Sequence, residues 1–490
     1  MKRKPASVLG SMAVVRMLAV LLIAEAATST ALAQQNSEQR IDRTVQGIER
    51  DTQNQVDTAL PLSQRALIDY GAYATYSYLS FDDAEHNNHG LNEPELVAYG
   101  RLNLDNANDL YVRARGFYLG YNPGDNPDGR PNHIDGVVEE GWYHFSLAGL
   151  AADEHHDPPP VNVDVKAGRQ FVDWGIGLTL DQYADGILAQ ISSKPVTVDL
   201  LASVTIRQTI DFDISRPDLD ESTERGFYGV KVGAAVGRAN PYGYILFQRD
   251  YNRPESLYTH VLPTRYRYNS YYAGVGINGP IRDSLLYAVE GCFEGGRGLS
   301  NSFNPANSEP VTQTADPIEA YAGKARLDYL PGDVHRSRLS IEGIISSGDH
   351  DRINTSGTFG GNRPNTGDHA FNALGDSDTG LAFGTSVSNL MLLRLGASTY
   401  PFAEKGPFGQ LQSGVDLFFF AKTQETAPID EATLNSRYLG FEPDLFLNWR
   451  PTDDVTLVLR YGLFVPGDAI PEGQPNFVRQ FFYAGVTYAL

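Results

Sequence analysis

Charged side chains recur at alternate positions in several stretches of this 490-residue chain. Arg113 and Arg115 flank one small residue. Lys324, Arg326 and Asp328 repeat the spacing, as do Arg338 and Glu342 around Ser340, and Glu442 and Asp444 ahead of Asn448 and Arg450. In an extended chain, side chains at i and i+2 point the same way, so each set forms one charged face. Rows of fixed cations and anions do non-covalent chemistry: they hold, order and select ions and hydroxyl-rich solutes. The plainer use of such rows is Arg–carboxylate pairing that stiffens a wet wall. For any single residue that plainer use has the better claim, but a solute that passes the set must meet all of it.

Bond-making chemistry finds less support. His144 is the one histidine near the middle of an extended run. His155-His156 lie among Asp153, Glu154 and Asp157, and His350 lies between Asp349 and Asp351. Either cluster has metal-ligand types, but each sits in a Gly- or Pro-rich connection where solvated polar side chains are the rule. No GxSxG nucleophile context and no phosphate-cradling loop occurs. No catalytic residue, resident metal or cofactor is therefore expected. Cys292 has no partner for an internal disulfide and reads as a small buried hydrophobe.

The charged rows need elements that keep their two faces apart. Opposite Arg113 and Arg115 stand Val112, Ala114, Gly116 and Tyr118; opposite Lys324, Arg326 and Asp328 stand Tyr321, Gly323, Ala325, Leu327 and Tyr329. Leu339, Ile341, Gly343 and Ile345 oppose Arg338 and Glu342, and Leu439, Phe441, Leu445, Leu447 and Trp449 oppose Glu442 and Asp444. The carboxyl end, Phe477–Leu490, alternates in the same way, with Phe482, Ala484, Val486, Tyr488 and Leu490 on one side. One oily face and one charged face is the pattern of a strand in a membrane barrel, where Arg or Lys on the lipid side costs about 2–4 kcal/mol. The charges must then face a polar lumen.

Strand-like runs occur near 67–81, 92–103, 109–119, 137–148, 161–172, 184–192, 195–210, 226–236, 242–250, 268–277, 284–294, 317–330, 337–347, 385–400, 409–423, 438–450, 455–465 and 477–490. The fold expected is all-β, a transmembrane antiparallel up-and-down barrel of about eighteen strands. Connections after even-numbered runs are short, such as 105–108, 193–194 and 451–454. Those after odd-numbered runs are long, such as 120–135, 251–266 and 348–383. Short turns on one rim and long loops on the other mark an outer-membrane barrel. The stretch 149–160 breaks this rule.

Residues 1–33 read as a signal peptide: Lys2, Arg3 and Lys4, an apolar stretch, then Ala31-Leu32-Ala33. No later stretch approaches the ~18 apolar residues of a spanning helix. Residues 34–66 form a polar leader, with Ile41, Val45, Ile48 and Val56 spaced for a short helix, and 67–490 form the barrel. Removing residues 1–33, which carry Lys2, Arg3, Lys4, Arg16 and Glu25, takes the formal charge from −21 to −24. That excludes nucleic acid as a partner. The partners expected are outer-membrane lipid and a hydrophilic solute, and the location expected is the outer membrane of a Gram-negative-type bacterium.

Four motifs carry a resemblance: Gly168-Arg169-Gln170, Val387-Ser388-Asn389-Leu390 ahead of Leu395-Gly396-Ala397-Ser398, Glu442-Pro443-Asp444-Leu445, and Gly462-Leu463-Phe464-Val465-Pro466-Gly467-Asp468-Ala469. In order and spacing they resemble the alginate-export family of outer-membrane proteins. The resemblance implies a monomeric eighteen-stranded barrel that exports a polyanionic polysaccharide through an arginine-lined constriction. It also implies lumenal positions for Asp181 and Arg460. The match is partial: Val458 stands where the family has a second basic residue, Phe171-Val172-Asp173 follows the GRQ motif where basic residues are usual, and Glu139 or Glu140 stands near Trp142 where an arginine would be. The family's long periplasmic plug is reduced to 451–454. The expected function is thus a passive saccharide channel, alginate-like or less anionic, with a more open pore. An adhesin built on the 348–383 loop and an outer-membrane hydrolase are the alternatives.

Overall fold

In this computed structural model, residues 67–489 are described apart from 85, 105–106, 127–131, 154–156, 158, 207–214, 216–223, 253–255, 259–262, 376, 405 and 472–476. Residues 1–33 and 34–66, the expected signal peptide and leader, lie outside the described residues. The wall is built of eighteen antiparallel strands: β1 (Leu67–Asp82), β2 (Asn88–Asn103), β3 (Asn108–Tyr121), β4 (His133–Ser146), β5 (Asn162–Trp174), β6 (Leu180–Ser193), β7 (Val196–Val204), β8 (Arg225–Ala234) and β9 (Asn240–Asp250). There follow β10 (Arg267–Arg282), β11 (Leu285–Leu299), β12 (Ala315–Tyr329), β13 (Arg338–Ser346), β14 (Leu390–Thr399), β15 (Leu411–Lys422), β16 (Tyr438–Trp449), β17 (Val455–Pro466) and β18 (Arg479–Ala489). Each strand pairs with the next. β18 returns to β1 from Tyr73↔Ala489 to Phe81↔Phe481, which closes the sheet.

The pleat sorts side chains as the alternation requires. Val112 on β3, Ile341 on β13, Leu393 on β14, Leu445 on β16 and Val486 and Tyr488 on β18 are exposed on the outside, while Arg115, Glu342, Asp416, Asp444 and Arg479 point inward. Closure leaves no strand edge at the seam, which is how a β-protein satisfies its backbone in lipid.

Each of the eighteen expected runs overlaps one of these strands. The differences have local causes. In the run 195–210 the strand ends at Val204, 207–210 lying outside the described residues, and the run 385–400 is strand only from Leu390. Asn389 turns the chain there, with φ 53, and its Nδ2 donates to the carbonyls of Gln424, Ala427 and Pro428. Leu439, expected on the outer face, is fully buried: Gly440 has φ 152, and the register shifts so that Ala421 pairs with Tyr438. The long connection at 149–160 holds a short helix, α1 (Leu147–Asp153), capped by Ser146 Oγ on the Gly149 N–H at 3.4 Å.

One hairpin leaves the wall. Pairing of β4 with β5 ends at Gly141↔Arg169, and pairing of β6 with β7 ends at Asp185↔Val204. β5 and β6 remain paired to each other up to Trp174↔Leu180. Residues 170–184 therefore form a hairpin free of both flanking strands, folded into the lumen. The bend sits at Gly168, with φ 126; a Cβ there would lie 2.2 Å from the Gly141 carbonyl oxygen, so only glycine fits. Arg169 holds the branch point. It donates to Asp185 Oδ1 at 2.8 Å and Oδ2 at 3.0 Å, and its Nη1 donates at 2.7 Å to the Val138 carbonyl, on the β4 edge that the hairpin has left. Gln170 Nε2 donates to the carbonyls of Lys166 and Gly186 across the same bend.

Candidate functional site

The candidate site is the lumen, and two infolded segments shape it. The hairpin tip is held by Glu290 on β11. Glu290 accepts from the Ile176 N–H at 2.8 Å, the Tyr242 hydroxyl at 2.5 Å and the Tyr244 hydroxyl at 2.7 Å. Thr179 Oγ1 lies 2.7 Å from the Tyr244 hydroxyl and 3.4 Å from Cys292 Sγ. Cys292 is buried at this contact, where a small apolar group was expected.

The second segment is the 347–389 connection. Leu374–Gly375 adds a short parallel strand to Leu180–Asp181 of the hairpin. Asn372 N–H donates to Glu294 at 2.8 Å, and its carbonyl accepts from the Tyr272 hydroxyl at 2.7 Å. Further on, three successive backbone N–H groups meet two wall carboxylates: Leu381 donates to Asp444 at 3.0 Å, and Ala382 and Phe383 donate to Glu442 at 2.6 and 2.9 Å. Phe383, with no exposed surface, stacks on Phe464 at 4.1 Å and meets Phe420 edge-on at 4.9 Å. Gly462 admits this approach, since a Cβ there would lie 2.6 Å from Asp444 and 2.8 Å from the Leu381 side chain.

Wall, hairpin and segment are thus tied in series, from β3 through the hairpin and Leu374 to β16 and β17. The first link is ionic. Arg113 donates to Glu139 at 2.8 Å, lies 3.1 Å from Glu140, and donates to the Tyr183 hydroxyl of the hairpin at 3.0 Å. Arg115 lies 3.2 Å from Glu95, 3.7 Å from Glu93 and 3.1 Å from Glu139. A bulge between Arg113 and Ala114 brings both Glu139 and Glu140 to this cluster.

A second ionic ladder runs along the opposite wall. Arg326 lies 2.9 Å from Asp328 and 3.7 Å from Glu342, Lys324 lies 3.8 Å from Glu342, and Arg338 lies 2.9 Å from Asp328. Arg394 bridges Asp416 on β15, at 2.8 Å, to Asp378 of the infolded segment, at 2.6 Å.

Of the residues expected on the lumen side, Arg113, Arg115, Lys324, Arg326, Arg338 and Glu342 fall in these two clusters. Asp181, expected at a lumenal position, sits on the infolded hairpin beside Gly375. Glu442 and Asp444 face inward and are buried beneath residues 381–383, whose N–H groups they accept. Arg460 is tied to Asn448 at 2.8 Å and to the Leu447 and Leu459 carbonyls. Glu290, Glu294, Arg394 and Asp416 were not singled out in the sequence; the alternation of Glu290, Cys292 and Glu294 on one face of β11 was the available signal. The Asp349-His350-Asp351 cluster could gather ligand atoms. Its carboxylates instead serve the connection: Asp349 accepts the Asp351 and His369 N–H groups, and Asp351 pairs with Arg363 at 3.3 Å.

A family model described as alginate export matches residues 185–484. Among solved structures, the fold is similar to Pseudomonas aeruginosa OccK8 (OprE), with a TM-score of 0.50 at 10% identity over 86% of this chain and 98% of that one. Pseudomonas aeruginosa OccK11 (OpdR) gives 0.49 at 10% identity over 86% and 96%, and Acinetobacter baumannii OccAB3 gives 0.49 at 10% over 86% and 99%. A search of curated proteins finds no match.

Proposed function

We propose, because the chain belongs to the alginate-export family and forms an outer-membrane channel, that its solute is a hydroxyl-rich saccharide less anionic than alginate. The observation that carries this is the balance of charge around each lumenal cation. Arg113 and Arg115 stand among Glu93, Glu95, Glu139 and Glu140. Lys324, Arg326, Arg338 and Arg394 stand among Asp328, Glu342, Asp378 and Asp416. A polyanion approaching any of these guanidiniums meets at least as many carboxylates, and the field of a chain of formal charge −24 without residues 1–33 opposes it further. Mixed ionic and hydrogen-bonding groups instead suit a solute that presents hydroxyls.

In this reading Arg113, Arg115, Asp181, Lys324, Arg326, Arg338 and Glu342 line the route, and Glu442, Asp444 and Arg460 support it. The protein works as a monomer, exported by residues 1–33, with residues 34–66 as a periplasmic leader. The adhesin alternative needs the 348–383 loop outside; burial of Phe371, Leu374 and Phe383 favours the channel.

The test is single-channel conductance of the refolded protein in a planar bilayer, under a salt gradient and with oligosaccharides added. Steady conductance with weak cation preference, blocked by maltohexaose at least as well as by hexamannuronate, is the expected result. Strong anion preference with selective hexamannuronate block would overturn it.

A further inference from the structure

At the short-turn rim, which faces the periplasm in an outer-membrane barrel, a cavity of about 390 Å³ is lined by Tyr400, Gln410, Gln412, Asn448, Arg450 and Asp453. Its residues continue the inward rows. Tyr400 follows Arg394 at even spacing beyond β14, Gln412 precedes Asp416 on β15, and Asn448 and Arg450 follow Asp444 on and just beyond β16. Its two strand residues, Gln412 and Asn448, thus share the inward face of Asp416 and Asp444.

The polar groups are held before any ligand arrives. Asn448 Nδ2 donates to Gln412 Oε1 at 3.1 Å, and Asn448 Oδ1 accepts from Arg460 at 2.8 Å. Arg450 donates to the Asp453 carbonyl at 2.8 Å, which holds its guanidinium at the turn after β16. Arg336 donates to Gln410 Oε1 at 3.3 Å and lies over the Tyr400 ring at 4.7 Å. Planar amides and a guanidinium around an aromatic ring suit a pyranose. They match its vicinal hydroxyls, and the ring accepts its apolar C–H face. The volume falls within the ~300–1,000 Å³ of ligand-sized cavities.

We propose that this cavity is a periplasmic loading subsite for one pyranose unit of the saccharide chain, a proposal that rests on the saccharide reading above. Asn448 links it to Arg460 deeper in the wall, so a sugar seated here is the first step of a polar track.

The experiment is block of the single channel from each side in oriented bilayers, with maltohexaose and hexamannuronate as separate probes. Periplasmic addition should block at a concentration about tenfold lower than addition from the opposite side. Arg450→Gln and Asn448→Ala should each raise the periplasmic half-blocking concentration about tenfold, the effect of one lost hydrogen bond to a charged or planar group, and erase the asymmetry. Gel mobility before and after heating checks that each variant is a folded barrel. If Arg450→Gln moves hexamannuronate alone, the seated unit is a uronate; if it moves both probes, it is a neutral sugar. Equal block from both sides, or an asymmetry that neither variant moves, overturns the subsite and leaves the channel's solute class standing. Absence of block by either probe from either side overturns the saccharide reading itself.

Discussion

Phe383 of the infolded 347–389 segment lies flat on Phe464 of β17, with centroids 4.1 Å apart and planes 5° from parallel. Phe464 belongs to the most specific of the family motifs, and Glu442 and Asp444 of a second motif take the backbone N–H groups beside Phe383. The two motifs together form a socket for the segment. Phe383→Ala removes a buried aromatic from it, a truncation that costs about 3–5 kcal/mol at a packed site. The barrel should still assemble, because Phe383 is not on a strand. Its unitary conductance should rise, with frequent flicker between levels. An unchanged trace from folded Phe383→Ala protein would show that the segment does not limit passage.

Gly168→Ala tests the other infolded element. The backbone there has φ 126, and the Gly141 carbonyl lies 2.2 Å from where a Cβ would go. Strain at such a position is about 1–3 kcal/mol before the clash is counted. The hairpin should be displaced from its seat at Glu290. Trp174, which is 1% exposed, would report this as a red shift and greater iodide quenching of fluorescence. Wild-type emission from a folded Gly168→Ala barrel would contradict this account of the bend.

The staves were legible because period two runs through most of each strand, broken locally by shifts such as that before Gly440, and lipid forbids charge on one face. Departure of the hairpin from the wall was not legible. Residues 170–174 and 180–184 alternate like any stave, and local periodicity cannot say whether the second face meets lipid or lumen. Val172 and Trp174 pack toward Leu246 and Tyr244 in one core, while Phe171 meets Tyr183 on the other side. Alternation puts Glu442 and Asp444 on one face, but what covers them is a glycine-containing segment some sixty residues earlier in the chain, a non-local contact. The four motifs could be matched as strings, but their common purpose appears only in the fold. Gly168-Arg169-Gln170 makes the branch, Asn389 fixes the return of the long segment, and the remaining two build its socket. None of the four supplies Arg113 or Arg115, so motif similarity carries the infolded architecture without carrying the solute.

Selectivity should follow the charge balance at Arg113 and Arg115. Glu139 lies 2.8 Å from the first and 3.1 Å from the second. Glu139→Gln leaves both guanidiniums less compensated, so the zero-current potential in a salt gradient should move toward anion selectivity by several-fold in permeability ratio. Arg115→Gln should move it the other way. Both shifts should shrink as salt rises from 0.1 to 1 M, where the screening length falls from about 10 to about 3 Å. Shifts of the same sign in the two variants, or shifts indifferent to salt, would place this cluster off the conduction path.

The short 83–87 connection gives a pH dependence whose sign can be worked out. Burial pushes the Asp83 carboxyl up, but hydrogen bonds from the His89 ring and from the Asn87 backbone and side chain outweigh it and hold the group below its ordinary 3.8. The contacts are close: His89 Nε2 at 2.8 Å, Asn87 N–H at 2.8 Å and Asn87 Nδ2 at 3.0 Å. His89 also reaches the Asp125 carbonyl of the next long connection at 2.5 Å, so Asp83 clamps two connections through one ring. A carboxyl with a depressed pKa adds stability above its unfolded value and loses it as pH falls through the folded one. The clamp should therefore be intact at neutral and weakly acid pH and release only in stronger acid, below 3.8. Hydrogen-exchange protection of the Asn87 amide, corrected for its intrinsic pH dependence, reads this directly. It should not fall between pH 7 and 5 and should fall below 4, and Asp83→Asn should lower it wherever the wild type is protected. Loss of protection already near pH 6 in the wild type would mean that titration of a different group opens the clamp.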